Sequence, residues 1–190
     1  MEELMALTGR HIKVYLRDRS AVFFSLLSAM IIIGLMAFFL GDMNIDAILE
    51  VAGPFTTAGD ELETLANNLV LAWTFAGILS INAVSVSISV YSGMIRDRVT
   101  GKLNSIYTAP VSRLKIALSY IMAAWAAAVL ICILSLGIME LFGMARGMEP
   151  YSLMEHVQTV AMIIGNSFVY AAMMYALAMI AKTEGAWGGF

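Results

Sequence analysis

From Leu69 to Met94 the chain passes without one charged side chain, and the same holds from Ala21 to Leu40 and from Val157 to Ala181. A fourth apolar run, Ile116 to Phe142, carries only Glu140, close to its end. At about 1.5 Å of rise per residue, some 20 helical residues cross the ~30 Å hydrocarbon layer of a bilayer. A soluble helix of that length would turn a polar face to water, and these runs hold too few charges to make one. Composition agrees: 61% of the residues are hydrophobic and 13% charged, where soluble domains carry about 45–50% and 25%. The runs are continuously apolar rather than alternating, which excludes the short strands of a spanning barrel. The chain therefore reads as an all-α polytopic membrane protein with an N-terminal interfacial helix and four transmembrane helices, and the lipid bilayer is its first partner.

The expected segments are an interfacial helix over 1–20, spans over 21–40, 69–94, 116–142 and 157–181, outer segments over 41–68 and 143–156, a cytoplasmic loop over 95–115 and a turn over 182–190. The first span is longer than the apolar core of a cleavable signal, and no small-x-small cleavage pattern follows Leu40, so it reads as a retained helix. Ten of the eleven basic residues, all but Arg146, fall before span one, between spans two and three, or after span four. An excess of Lys and Arg in short loops marks the cytoplasmic side, so both ends are expected there. The other side receives acids: Gly41 to Asn67 holds six and no base. That stretch reads as a solvated acidic surface. Basic residues form no continuous stripe, so nucleic acid is not expected as a partner. Cys132 is the only cysteine and lies inside a span, which leaves no internal disulfide and a packing role.

Polar groups inside the spans are the first candidates for function. Asn82, Ser85, Ser89 and Ser92 fall on one face of an ideal helix in span two, and Asn166 and Tyr170 make a similar pair in span four. Such a face turns away from lipid, toward either a substrate path or a neighbouring helix. Ala124, Ala128, Cys132 and Ser135 in span three are small groups at helical spacing and read as a packing seam. Glu140, near the outer end of that span, is expected to reach the polar interface.

Ahead of span one, Leu4, Leu7, Ile12, Tyr15 and Leu16 oppose Arg10, Lys13 and Arg17, the pattern of an amphipathic helix in the interface. An ordinary topology-anchoring flank has the same composition, and His11 reads as a bystander. The loop 95–115 is richer. Leu103, Ile106 and Tyr107 share a helical face, and Pro110 suits the first turn of the next helix, where its missing donor costs nothing. A short amphipathic helix is thus expected at the membrane between spans two and three.

The run Gly9 to Phe24, together with Asp97-Arg98, Gly101 and Thr108-Ala109-Pro110-Val111-Ser112-Arg113, resembles the membrane subunits of the type 2 ABC exporters. Val99 and Lys102 depart from it, where similar proteins often place an acid and a threonine. The resemblance implies an interfacial helix, six spans and a coupling helix between spans two and three. By it, Asp97, Arg98, Gly101, Leu103, Ile106, Tyr107, Pro110 and Arg113 would couple the chain to a separate cytoplasmic ATP-binding subunit that binds ATP and Mg. A second permease copy or homologue would complete the path for an exported substrate. Thr183 to Phe190 read as a turn into another apolar segment, and two further spans are expected after it.

The chain's own residues offer no site for hydrolysis. A phosphate-cradling loop needs G-x-x-x-x-G-K-[ST]. Here Gly101-Lys102 has Arg96 in place of the first glycine and Leu103 in place of the hydroxyl. An ion-coupled transporter or channel is the alternative, and it predicts paired ionisable groups or broken helices near the midplane. An intramembrane enzyme would need a nucleophile with a base, or a metal set, and neither pattern is present.

Overall fold

Leu4, Leu7, His11 and Tyr15 recur every three or four residues, and this stripe is the covered face of helix α1 (Glu2–Arg17). At Asp18 the direction changes by 71°. The Asp18 carboxylate accepts from the Ala21 N–H at 3.1 Å and so caps α2 (Arg19–Leu35), while Tyr15 and Ser25 share a hydrogen bond at 3.2 Å across the bend. The computed structural model describes residues 2–36, 38, 41–55, 59–102, 111–148, 150–181 and 183–188. It is all-helical, with no strand among the described residues.

Beyond α2 lie α3 (Gly41–Ala52), a 3-10 turn at Gly53–Phe55, then α4 (Gly59–Val99), α5 (Arg113–Ala145), α6 (Leu153–Ile180) and the short α7 (Glu184–Trp187). Three helices, α4, α5 and α6, are long and apolar enough to cross a membrane, and the bent α1–α2 pair would make a fourth crossing. The protein is membrane-embedded. The apolar run 69–94 occupies the middle of α4, whose 41 residues begin at Gly59. A helix stops where its backbone bonding stops, not where lipid does; Asp60, Glu61 and Glu63 continue it into water and complement its N-terminal dipole.

The ends are set by local chemistry. Gly147, at φ 84, closes α5: its N–H donates to Met144 O at 3.1 Å and the Met148 N–H to Gly143 O at 2.9 Å, the bonding of a Schellman terminator. Ser152 then opens α6 through a capping box with Glu155. Seven residues, 146–152, therefore suffice to end one long helix and start the next.

The bundle has one basic and one acidic end. Lys115 meets Glu3 at 2.9 Å where α5 starts, and Arg146 meets Asp42 at 2.7 Å where it stops. Between them α5 is the central helix, packed on α1, α4 and α6, and Ala123, Ala124, Ala127, Ala128 and Cys132 are all within 1% of full burial. Small side chains let the neighbouring backbones approach, and the Cys132 thiol donates to Leu79 O at 3.4 Å. Outward stand large apolar groups such as Phe24, Trp73, Leu141 and Met162.

Candidate functional site

Two regions gather polar chemistry: the basic end and a cavity toward the acidic end. At the basic end α4 finishes with Arg96, Asp97 and Arg98. The Thr100 hydroxyl donates to Arg96 O at 2.8 Å, and Gly101, at φ 76, turns the chain out of the helix with its N–H on Arg98 O at 3.2 Å. A β-carbon in that left-handed conformation costs about 1–2 kcal/mol, so the turn is glycine's role here. The described chain resumes at Val111, Ser112 caps α5 with its hydroxyl accepting from the Lys115 N–H, and Arg113 is the first helical residue. Leu103, Ile106, Tyr107 and Pro110 lie outside the described residues.

Asp97 and Arg98 part company. Arg98 reaches α6, where Nη1 donates to Ala181 O at 3.2 Å and Ala178 O at 3.5 Å, so a cation satisfies carbonyls at the negative end of that helix. Asp97 faces the other way, onto a cavity of about 110 Å³ beside α1 that Arg96, Asp18, Ser89 and His11 also line. His11 packs there without a chemical role. Its ring stacks on Tyr120 of α5 at 3.8 Å between centroids, and burial, with the charge of Arg10 adding, pushes its pKa down to about 4. The imidazole is therefore neutral near pH 7, serving as a flat packing surface. Its place in the Leu4, Leu7, Tyr15 stripe was the available signal.

The polar face of span two does not act as one wall. Asn82 is fully buried and its Nδ2 donates to the Ser135 hydroxyl at 2.8 Å, which ties α4 to α5. Ser85 is half-buried, and Ser89 sits at the α1 cavity. The Ser92 hydroxyl donates to Ile88 O and accepts from the Trp187 indole at 2.9 Å. Trp187 is buried against α4, so α7 folds back beside Tyr91. Asn166 lines the larger cavity, whereas Tyr170 packs against the core.

That cavity encloses about 700 Å³ between α4, α5 and α6. Phe75, Leu79 and Leu136 form apolar walls, and Glu155, Thr159 and Asn166 supply polar groups. No family model, curated protein or solved structure matches the chain. The spacing of Glu155, Thr159, Met162 and Asn166 on one side of α6 was legible in the sequence; that this side faces a cavity was not. Next to its rim, Glu140 is largely covered: Oε2 meets His156 Nε2 at 3.1 Å, and Oε1 accepts from the Tyr151 N–H at 3.3 Å.

Proposed function

We propose that the chain is the membrane-spanning permease subunit of an ATP-driven exporter, resembling the type 2 ABC exporters. In this reading α1 lies in the cytoplasmic interface, α2, α4, α5 and α6 are the four spans, and a coupling helix within 95–115 meets a separate cytoplasmic ATPase. A second permease copy or homologue completes the substrate path. The observation that carries the reading is the tying together of the basic end: α4 ends there in the Gly101 turn, α5 begins there at the Ser112 cap, and Arg98 bonds α4 to the end of α6. A push on the intervening loop is thereby passed to three helices. Coupling needs the motor to bind two arrangements of these helices unequally, typically by about 1–3 kcal/mol.

A Leu103→Asp, Tyr107→Asp variant of the full-length subunit should remain in the membrane yet lose the ATPase on co-purification, or lose substrate-stimulated hydrolysis. Normal pairing and transport by this variant would sink the coupling mechanism. Orientation is tested separately, in a Cys132→Ser background. An impermeant thiol reagent outside intact cells should label Asp60→Cys and spare Lys102→Cys, as the basic-residue asymmetry requires; the reverse pattern would invert the topology.

An ion-gradient transporter is the second reading, favoured by the Glu140–His156 pair beside the larger cavity. Reconstituted with its ATPase, the exporter moves substrate on addition of ATP without an ion gradient. Transport driven by a proton gradient and indifferent to ATP would select the second reading.

A further inference from the structure

Between the last turn of α4, the first turns of α5 and the end of α6 lies a cleft of about 660 Å³, which meets the small α1 cavity only at Met94 and Tyr120. Arg98 and Arg113 stand on its lining, with Met94, Ile116 and Met179 as apolar wall and Tyr120 at its side, and no described acid lines it. Arg98 is partly used by the α6 carbonyls. Arg113 is exposed and makes no ion pair with the described residues, unlike Lys115 two residues on, which holds Glu3. On the same lining, Leu114 and Met179 are outward apolar groups, Met179 at the end of a helix long and apolar enough to cross a membrane.

We infer that this cleft binds an anionic phospholipid of the surrounding bilayer, with the phosphate between Arg98 and Arg113 and an acyl chain leaving past Leu114 and Met179. Two guanidinium forks match the oxygens of a phosphodiester, and basic pockets between crossing helices are suited to anionic head groups. Apolar walls extend the match from the head group to the chain. The start of α5, with Ser112 at its cap, adds the positive end of a long helix close to the same place. The site rests on the cleft itself and is independent of the transport reading.

The test uses the intact chain purified in a neutral detergent, with dioleoyl phosphatidylglycerol and dioleoyl phosphatidylcholine as probes. Retained lipid is read by native mass spectrometry, and thermal unfolding is followed in parallel. Phosphatidylglycerol should be retained and raise the unfolding midpoint, and phosphatidylcholine should do neither. Arg113→Gln should weaken retention about tenfold, the loss expected for one charge-assisted bond, with the lipid-free midpoint unchanged. Leu114→Trp, which blocks the cleft and leaves both arginines, should also lose the lipid and provides a second test if Arg113→Gln does not fold. Equal retention of the two lipids by the parent, or undiminished phosphatidylglycerol retention by either folded variant, would overturn the site. Displacement of phosphatidylglycerol by millimolar glycerol 3-phosphate would overturn the lipid assignment and make the ligand a soluble phosphate.

Discussion

Tyr91→Ala should lower the unfolding midpoint by roughly 5–10 °C in a fixed detergent, at about 2–4 °C per kcal/mol for a chain of this size. Tyr91 is fully buried, its hydroxyl donates to Ala171 O of α6 at 2.7 Å, and its ring lies edge-on to Tyr175 and Trp187. In lipid the transfer of apolar surface from water contributes nothing to helix association, so the cost is that of the void. Removing roughly 100 Å³ of side chain at about 24 cal/mol per Å³ gives about 2.4 kcal/mol. Tyr91→Phe keeps the ring and loses one hydrogen bond, so it should cost about 1 kcal/mol. A midpoint for Tyr91→Ala within about 1 °C of the parent, on the same scale, would mean that α4 and α6 do not meet through this ring.

Enlarging the seam of α5 should be at least as damaging. Ala124 and Ala128 have no accessible surface, and the helices around them approach because nothing longer than a methyl group intervenes. Leucine at either site overpacks by about 1–3 kcal/mol, and since the two lie one turn apart and share neighbours, the double change need not be additive. Ala124→Leu with Ala128→Leu should therefore give a protein that elutes as aggregate on size exclusion after detergent extraction. Leu130→Ala, an exposed position on the same helix, is the control and should behave as the parent. A monodisperse double variant with the parent's midpoint would refute the packing described for α5.

What could be read from the sequence and what could not divide along a physical line. The apolar runs of spans two, three and four were legible because lipid demands a minimum length without charge, and α4, α5 and α6 contain them. The small residues of span three were legible as a seam because they recur with the helical period, and they are buried. Which group each polar side chain meets was not legible. Asn82 shares its spacing with Ser85 and Ser89 whether the face lines a path or, as at Asn82, bonds to Ser135 across 53 residues of sequence. Glu140 and His156 lie 16 residues apart, on either side of a turn whose tightness depends on Gly147 and the Ser152 cap. The contacts of His11 and Trp187 were opaque for a related reason: each meets a neighbour on another helix, Tyr120 for one and Ser92 for the other.

The length of α4 has a mechanical meaning. Its 41 residues make a rod of about 62 Å, roughly twice the thickness of a hydrocarbon layer. No proline interrupts it, and the hydroxyls of Thr74, Ser80, Ser87 and Ser92 bond back to carbonyls one turn earlier, inside an unbroken helix. With a fulcrum near the Asn82–Ser135 bond, a tilt of about 5° would swing the two tips some 5 Å relative to each other, on the length given by the helical rise. Small torques at the arginine-bearing tip would therefore reappear as ångström-scale travel at the carboxylate-bearing one, without any bond inside the lever having to change.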